Sequence, residues 1–152
     1  MKIKEFIINK YNSAGGPRDF IIDSNSHDNY LKPLHKELSK YGVEMTEIIF
    51  YAISIAANSD ILETENVTEQ TDAASGQANV FQIQSLDEDK IEFLMAVMIK
   101  LYGVDSLSNY KQMIKRLEWL AKVGLSKLHE SFLENYIRFP DKFINSIVEG
   151  ML

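Results

Sequence analysis

Trp119 is the only tryptophan of the chain and stands among cations. On a helix its neighbours are Lys115, Arg116, Lys122 and Val123, with Lys111 two turns back along the same row. An aromatic ring flanked by ammonium groups does recognition chemistry rather than bond-making. It anchors a partner protein, or it stacks on bases while the lysines neutralise phosphate. The structural alternative is a tryptophan packed under another element, with ordinary solvated lysines around it.

The other residues with reactive side chains are too scattered to assemble a known reaction. His27, His35 and His129 share no helical face with one another, and no His-Glu-x-x-His is present. His129 with Glu130, Ser131 and Glu134 supplies one imidazole and two carboxylates, which is short of a metal ligand set, so no metal is expected. Asp87-Glu88-Asp89 with Glu92 is an acid cluster, and it sits where carboxylates satisfy the free N–H groups and the dipole of a helix start. Gly15-Gly16-Pro17-Arg18 lacks the Gly-Lys-Ser/Thr of a phosphate loop, and Pro17 removes an N–H that such a cradle uses. Gly-x-Ser-x-Gly is absent as well. Neither catalysis nor a cofactor is expected. The chain has no cysteine, which excludes disulfides, thiolate metal sites and cysteine nucleophiles.

The charge is unevenly placed. The net charge is −6, and residues 61–92 hold Glu63, Glu65, Glu69, Asp72, Asp87, Glu88, Asp89 and Glu92 against Lys90 alone. The part after residue 92 is mildly basic, so an overall acidic balance does not exclude contact with nucleic acid there. The first residues, Met1-Lys2-Ile3-Lys4-Glu5-Phe6, do not read as a signal peptide, and Ile48 to Ala57 is far short of the roughly 20 apolar residues that span a bilayer. A cytoplasmic protein without membrane contact is expected.

The elements that must position these residues follow from periodicity. At 152 residues, 45% apolar and 25% charged, the chain fits a single globular domain. A short helix is predicted over Ile3 to Tyr11, a brief strand at Phe20-Ile21-Ile22, and a polar turn from Asp23 to Asp28. Leu31, Leu34, Leu38 and Tyr41 form one stripe of a helix over Asn29 to Tyr41 that Gly42 closes. Glu44 to Ala57 is apolar nearly all round. Asn58 to Asn79 reads as a long, mobile acidic loop and Val80 to Gln84 as a strand. Ser85-Leu86-Asp87-Glu88 fits a capping box before the helix Ile91 to Tyr102, ended by Gly103.

A clean stripe then runs through Leu107, Tyr110, Met113, Ile114, Leu117, Leu120 and Ala121, with Gly124 as its stop and Trp119 off the stripe. Leu125, Leu128, Phe132, Tyr136 and Phe139 form another, and Pro140 starts a last helix. The pattern predicts an all-α or mainly α single-domain bundle with two short strands, its central helices being Glu44–Ala57 and Ile91–Tyr102.

Glu118-Trp119-Leu120-Ala121-Lys122-Val123-Gly124-Leu125, ending at Leu128, resembles the Glu-x-x-Ala-x-x-Gly-Leu-x-x-Leu close of small helical proteins associated with bacterial DNA phosphorothioation (dnd) gene clusters. The order before it is similar too: an alanine-rich apolar helix (Ile48 to Ala57), a variable loop, a strand, then Asp87-Glu88 opening an apolar helix. The resemblance covers about residues 45–130. It departs where such relatives carry Tyr-Ala-Asn-Gly-Gly, since Leu120, Lys122 and Val123 stand in those places. It implies an accessory protein of a prokaryotic defence or DNA-modification locus, brings no catalytic residues, and leaves Phe20 and the Asn58–Asn79 loop free to carry specificity.

The expected function is therefore that of a non-catalytic accessory or adaptor subunit of a bacterial multi-protein system, in anti-phage defence or DNA modification. It docks a protein partner through Trp119, Lys111, Lys115 and Lys122, and nucleic acid is reached through the complex. The alternative is an acidic immunity or inhibitor protein that blocks a basic partner with Glu63, Glu65, Glu69 and Asp72 and the cluster Asp87 to Glu92. A third class is a small hydrolase or nuclease built on Asp87, Glu88 and His129.

Overall fold

The structure, a computed structural model, describes Glu5, residues 19–59 and residues 76–133. Apart from Glu5, the predicted first helix lies outside the described residues, as do the predicted last helix, the Gly15–Arg18 turn and the acidic residues Glu63, Glu65, Glu69 and Asp72. The fold is mainly α, with a small two-stranded antiparallel sheet.

Strand β1 (Asp19–Asp23) pairs with β2 (Gln77–Gln82), with Phe20 opposite Phe81 and Ile21 opposite Asn79. Val80 is the extra residue of a bulge at that point. The strand predicted over residues 80–84 thus begins earlier, at Gln77, and Ile83–Ser85 turns as a 3-10 helix instead. The last residues of the predicted loop, Gln77 to Asn79, are strand.

The predicted polar turn from Asp23 to Asp28 is helical. Asp23 is an N-cap: its Oδ2 accepts the Ser26 N–H at 3.0 Å, and helical turns follow at once over Ser24–Ser26 and, with π geometry, over His27–Leu31. The run continues as α1 (Lys32–Leu38), with Pro33 in its first turn, and ends in Ser39–Tyr41 and Gly42, whose φ of 80° gives the left-handed stop that glycine favours.

Helix α2 (Met45–Ala57) opens with a reciprocal capping box between Glu44 and Glu47, and none of its side chains is fully exposed. Helix α3 (Glu88–Tyr102) opens on Asp87, whose Oδ1 accepts the Lys90 N–H at 2.9 Å. Asp87 is the cap, and Ser85 belongs to the preceding 3-10 turn. Helix α3 is not a central helix: Glu92, Ala96, Ile99 and Lys100 are exposed along it.

The second central helix is α4 (Tyr110–Ser131), capped by Asn109 and carrying ten buried residues. It runs unbroken through Gly124, where two helices were predicted, and Leu107 stays in a separate 3-10 turn, Val104–Ser108. Gly124 is no stop, because its place is under Ala52: a Cβ there would strike the Ala52 carbonyl. The residue lets the backbones of α2 and α4 touch.

A single hydrophobic core joins these elements, from Phe20 and Ile22 through Ile48, Ile49 and Ile53 to Leu117, Leu120 and Leu125. An aromatic ladder ties the ribbon to it. Phe20 stacks on Phe81 with 4.7 Å between centroids, Phe81 lies 6.0 Å from Phe50 on α2, and Phe50 lies 5.6 Å from Phe93 on α3. Arg116 of α4 sits 4.3 Å over the Tyr102 ring and joins the end of α3 to the bundle.

Candidate functional site

The long helix α4 presents Lys111, Lys115, Glu118, Lys122 and His129 along one face, at successive spacings of four, three, four and seven residues. Two neighbouring elements line this row. The π-helical turn brings Tyr30, whose ring centroid is 5.0 Å from that of His129. Strand β1 brings Ile21, whose backbone N–H donates to Glu118 Oε2 at 2.6 Å.

Glu118 is the electrostatic centre of the face. Burial pushes its carboxyl group up to about 7, against the Ile21 N–H bond and the Lys115 charge, which both favour the ionised form. The lysines of the row reach solvent to different extents. Lys111 is exposed, Lys115 and Lys122 are half-buried, and none of the three joins an ion pair among the described residues.

Trp119 does not stand on a solvent-side face. It is 5% exposed and belongs to the core, although its position lies away from the Leu117–Leu120–Ala121 stripe. Helix α4 is covered at this point too, and a stripe counted on one helix cannot show a second covering layer. Trp119 is thus no exposed contact; it fixes the helix that carries the lysines. Arg116, its neighbour, is engaged with Tyr102. Phe20, which the resemblance left free for specificity, is fully buried.

The remaining candidates fall apart in space or are engaged elsewhere. Asp87 holds Lys90 through both its backbone N–H and, at 3.2 Å, its ammonium group. His27 Nδ1 lies 2.9 Å from Asp28 Oδ1, and this hydrogen bond is the main cause that lowers the Asp28 carboxyl from its ordinary value. His35 is half-buried on α1. Among the described residues no group of three or more His, Asp or Glu is placed to hold a metal ion, and no helix is long and apolar enough to cross a membrane.

Several positions of the motif behind the family resemblance have a structural role in this fold. Glu118 holds β1, Gly124 lies against Ala52 of α2, and Ala121, Leu125 and Leu128 are buried. Glu118 is the residue that sequence reasoning passed over. Its signal was a carboxylate in mid-row between Lys115 and Lys122, beside the buried positions Leu117 and Ala121. The chain matches no protein-family model, no curated protein and no solved structure.

Proposed function

We propose that the protein is a non-catalytic docking subunit of a bacterial multi-protein system, cytoplasmic and in the anti-phage or DNA-modification class that the motif resemblance implies. It binds an acidic surface of a partner protein through the lysine row of α4. The observation that carries this is the row itself: Lys111, Lys115 and Lys122 lie on one rigid helix, reach solvent and have no ion-pair partner among the described residues. Cations left free on a fixed scaffold steer and orient an anionic partner, and their effect weakens with salt. Trp119 serves the row from beneath, as a core residue.

The test is a native capture of the tagged protein beside a variant carrying Lys111→Glu, Lys115→Glu and Lys122→Glu. We expect a stoichiometric protein partner that the wild type retains at low salt and loses at high salt. The triple variant should lose it at any salt concentration while remaining folded, with only part of its thermal stability lost because Lys115 no longer offsets the Glu118 charge. A partner held equally by the variant, or indifferent to salt, would remove the lysine row from the reading.

A further inference from the structure

A ribbon of two strands is too small to be stable alone, so its attachments decide whether it stays closed. Burial of Phe20 and Ile22 holds one side of β1. Among the described residues, the backbone of β1 is tied to α4 by the bond from the Ile21 N–H to Glu118 Oε2, between residues 97 apart in sequence. It falls beside the bulge at Val80, where the ladder between the strands is interrupted.

We propose that Glu118 is a proton-operated latch between the ribbon and the bundle: gain and loss of its carboxyl proton set how readily β1 lifts from α4.

The physical argument is one of linkage. With the seam closed, the carboxyl group is partly withdrawn from water, and one backbone N–H and the Lys115 charge offset only part of the cost of ionising it. With the seam open it is solvated and behaves as an ordinary glutamate, near 4.5, whereas in the closed state burial holds it at about 7. Opening therefore releases a proton wherever the pH lies between these values. The open state gains on the closed one as pH rises through that window and levels off above it.

Several charged or titratable groups stand on the elements packed there. Lys115 and Lys122 flank Glu118 on α4, Asp19 and Asp23 stand on β1, and His27, Asp28 and Tyr30 on the π-helical turn. Of these, Lys115 is the one whose charge acts on Glu118, and it opposes the effect of burial without overcoming it.

The experiment needs no partner, so its outcome is separate from that of the docking proposal. The Glu118 carboxyl is titrated by carbon-detected NMR in the wild type, and exchange of the Ile21 amide is followed at about pH 5 and about pH 8, corrected for intrinsic exchange. The same exchange is measured in Glu118→Gln, which keeps an acceptor oxygen but cannot titrate. We expect Glu118 to titrate far above the ordinary carboxylate range. The opening constant at Ile21 should rise by roughly 50-fold across that interval in the wild type and stay flat in Glu118→Gln. An ordinary carboxylate titration, or an equal rise in the variant, would overturn the latch. Should Glu118→Gln not fold, the wild type alone decides: the Ile21 amide shift must move with the midpoint of the Glu118 carboxyl.

Discussion

A buried indole and an exposed ammonium group on the same helix make opposite demands, and Trp119 and Lys111 set the contrast. With 5% of its surface exposed, Trp119 gives up nearly all of a large apolar area to the core. Truncation to alanine leaves a cavity the helix cannot close, and such changes cost about 3–5 kcal/mol. Trp119→Ala is accordingly expected to lower the thermal midpoint by many degrees, and any loss of partner binding should follow that loss of fold. A variant with a near-native midpoint and selectively lost binding would return the tryptophan to the interface. The sequence made the lysines around it legible, because charge and spacing survive without tertiary context. It could not make the burial legible, since the heptad-like stripe of α4 defines one inward face and says nothing of a second. For Glu118 the sequence showed the place, a carboxylate between two lysines, but not the role: its partner is a backbone N–H 97 residues away, and backbone donors leave no mark in a sequence.

Between elements, α2 and α4 approach closely where Gly124 lies under Ala52. Two effects of Gly124→Ala compete. Alanine gains about 1 kcal/mol over glycine in a helix interior. Against that, the new Cβ would overlap the carbonyl of Ala52, which is backbone and cannot rotate away. Forcing two packed helices apart costs about 1–3 kcal/mol and more where backbone is struck. The second effect wins, and chemical denaturation should show a net loss of about 1–2 kcal/mol. A stabilised variant would mean that the two helices slide at little cost. The same glycine shows where element boundaries can be read and where they cannot. Gly42 and Gly103 end their helices with φ of 80° and 83°, as their positions after an apolar stripe predict. Gly124 has the same sequence signature of a stop, yet it is helical, because close packing against another helix also selects glycine. The all-round apolar character of α2 was legible for the opposite reason: it depends on composition alone. The amphipathic α3 looked equally apolar over Ile91 to Tyr102, but Ala96 and Ile99 face outward and leave it at the margin.

For the molecule as a whole, the half-buried carboxylate of Glu118 gives stability a pH dependence whose sign is fixed. Its folded-state value of about 7 lies above the ordinary 4.5, so the folded state binds the proton more tightly. The stability this confers is fully present below about pH 4.5 and is lost as pH rises through about 7. Asp28 acts in the other direction: its lowered carboxyl contributes stability above its ordinary range, lost as the pH falls, though in an exposed position where solvent screens the contact with His27. Urea denaturation of wild type and Glu118→Gln at about pH 5 and about pH 8 isolates the glutamate, because every other titrating group is common to both proteins. At the lower pH the two should be similar, since a protonated carboxyl and an amide place comparable demands on the site. At the higher pH the wild type must keep a carboxylate partly out of water with one N–H and a neighbouring lysine to offset it. The gap should therefore move in favour of Glu118→Gln by about 2–3 kcal/mol between the two conditions. A gap that stays constant would mean that Glu118 binds its proton equally well in the folded and unfolded chain. The seam between ribbon and bundle would then hold without reference to pH.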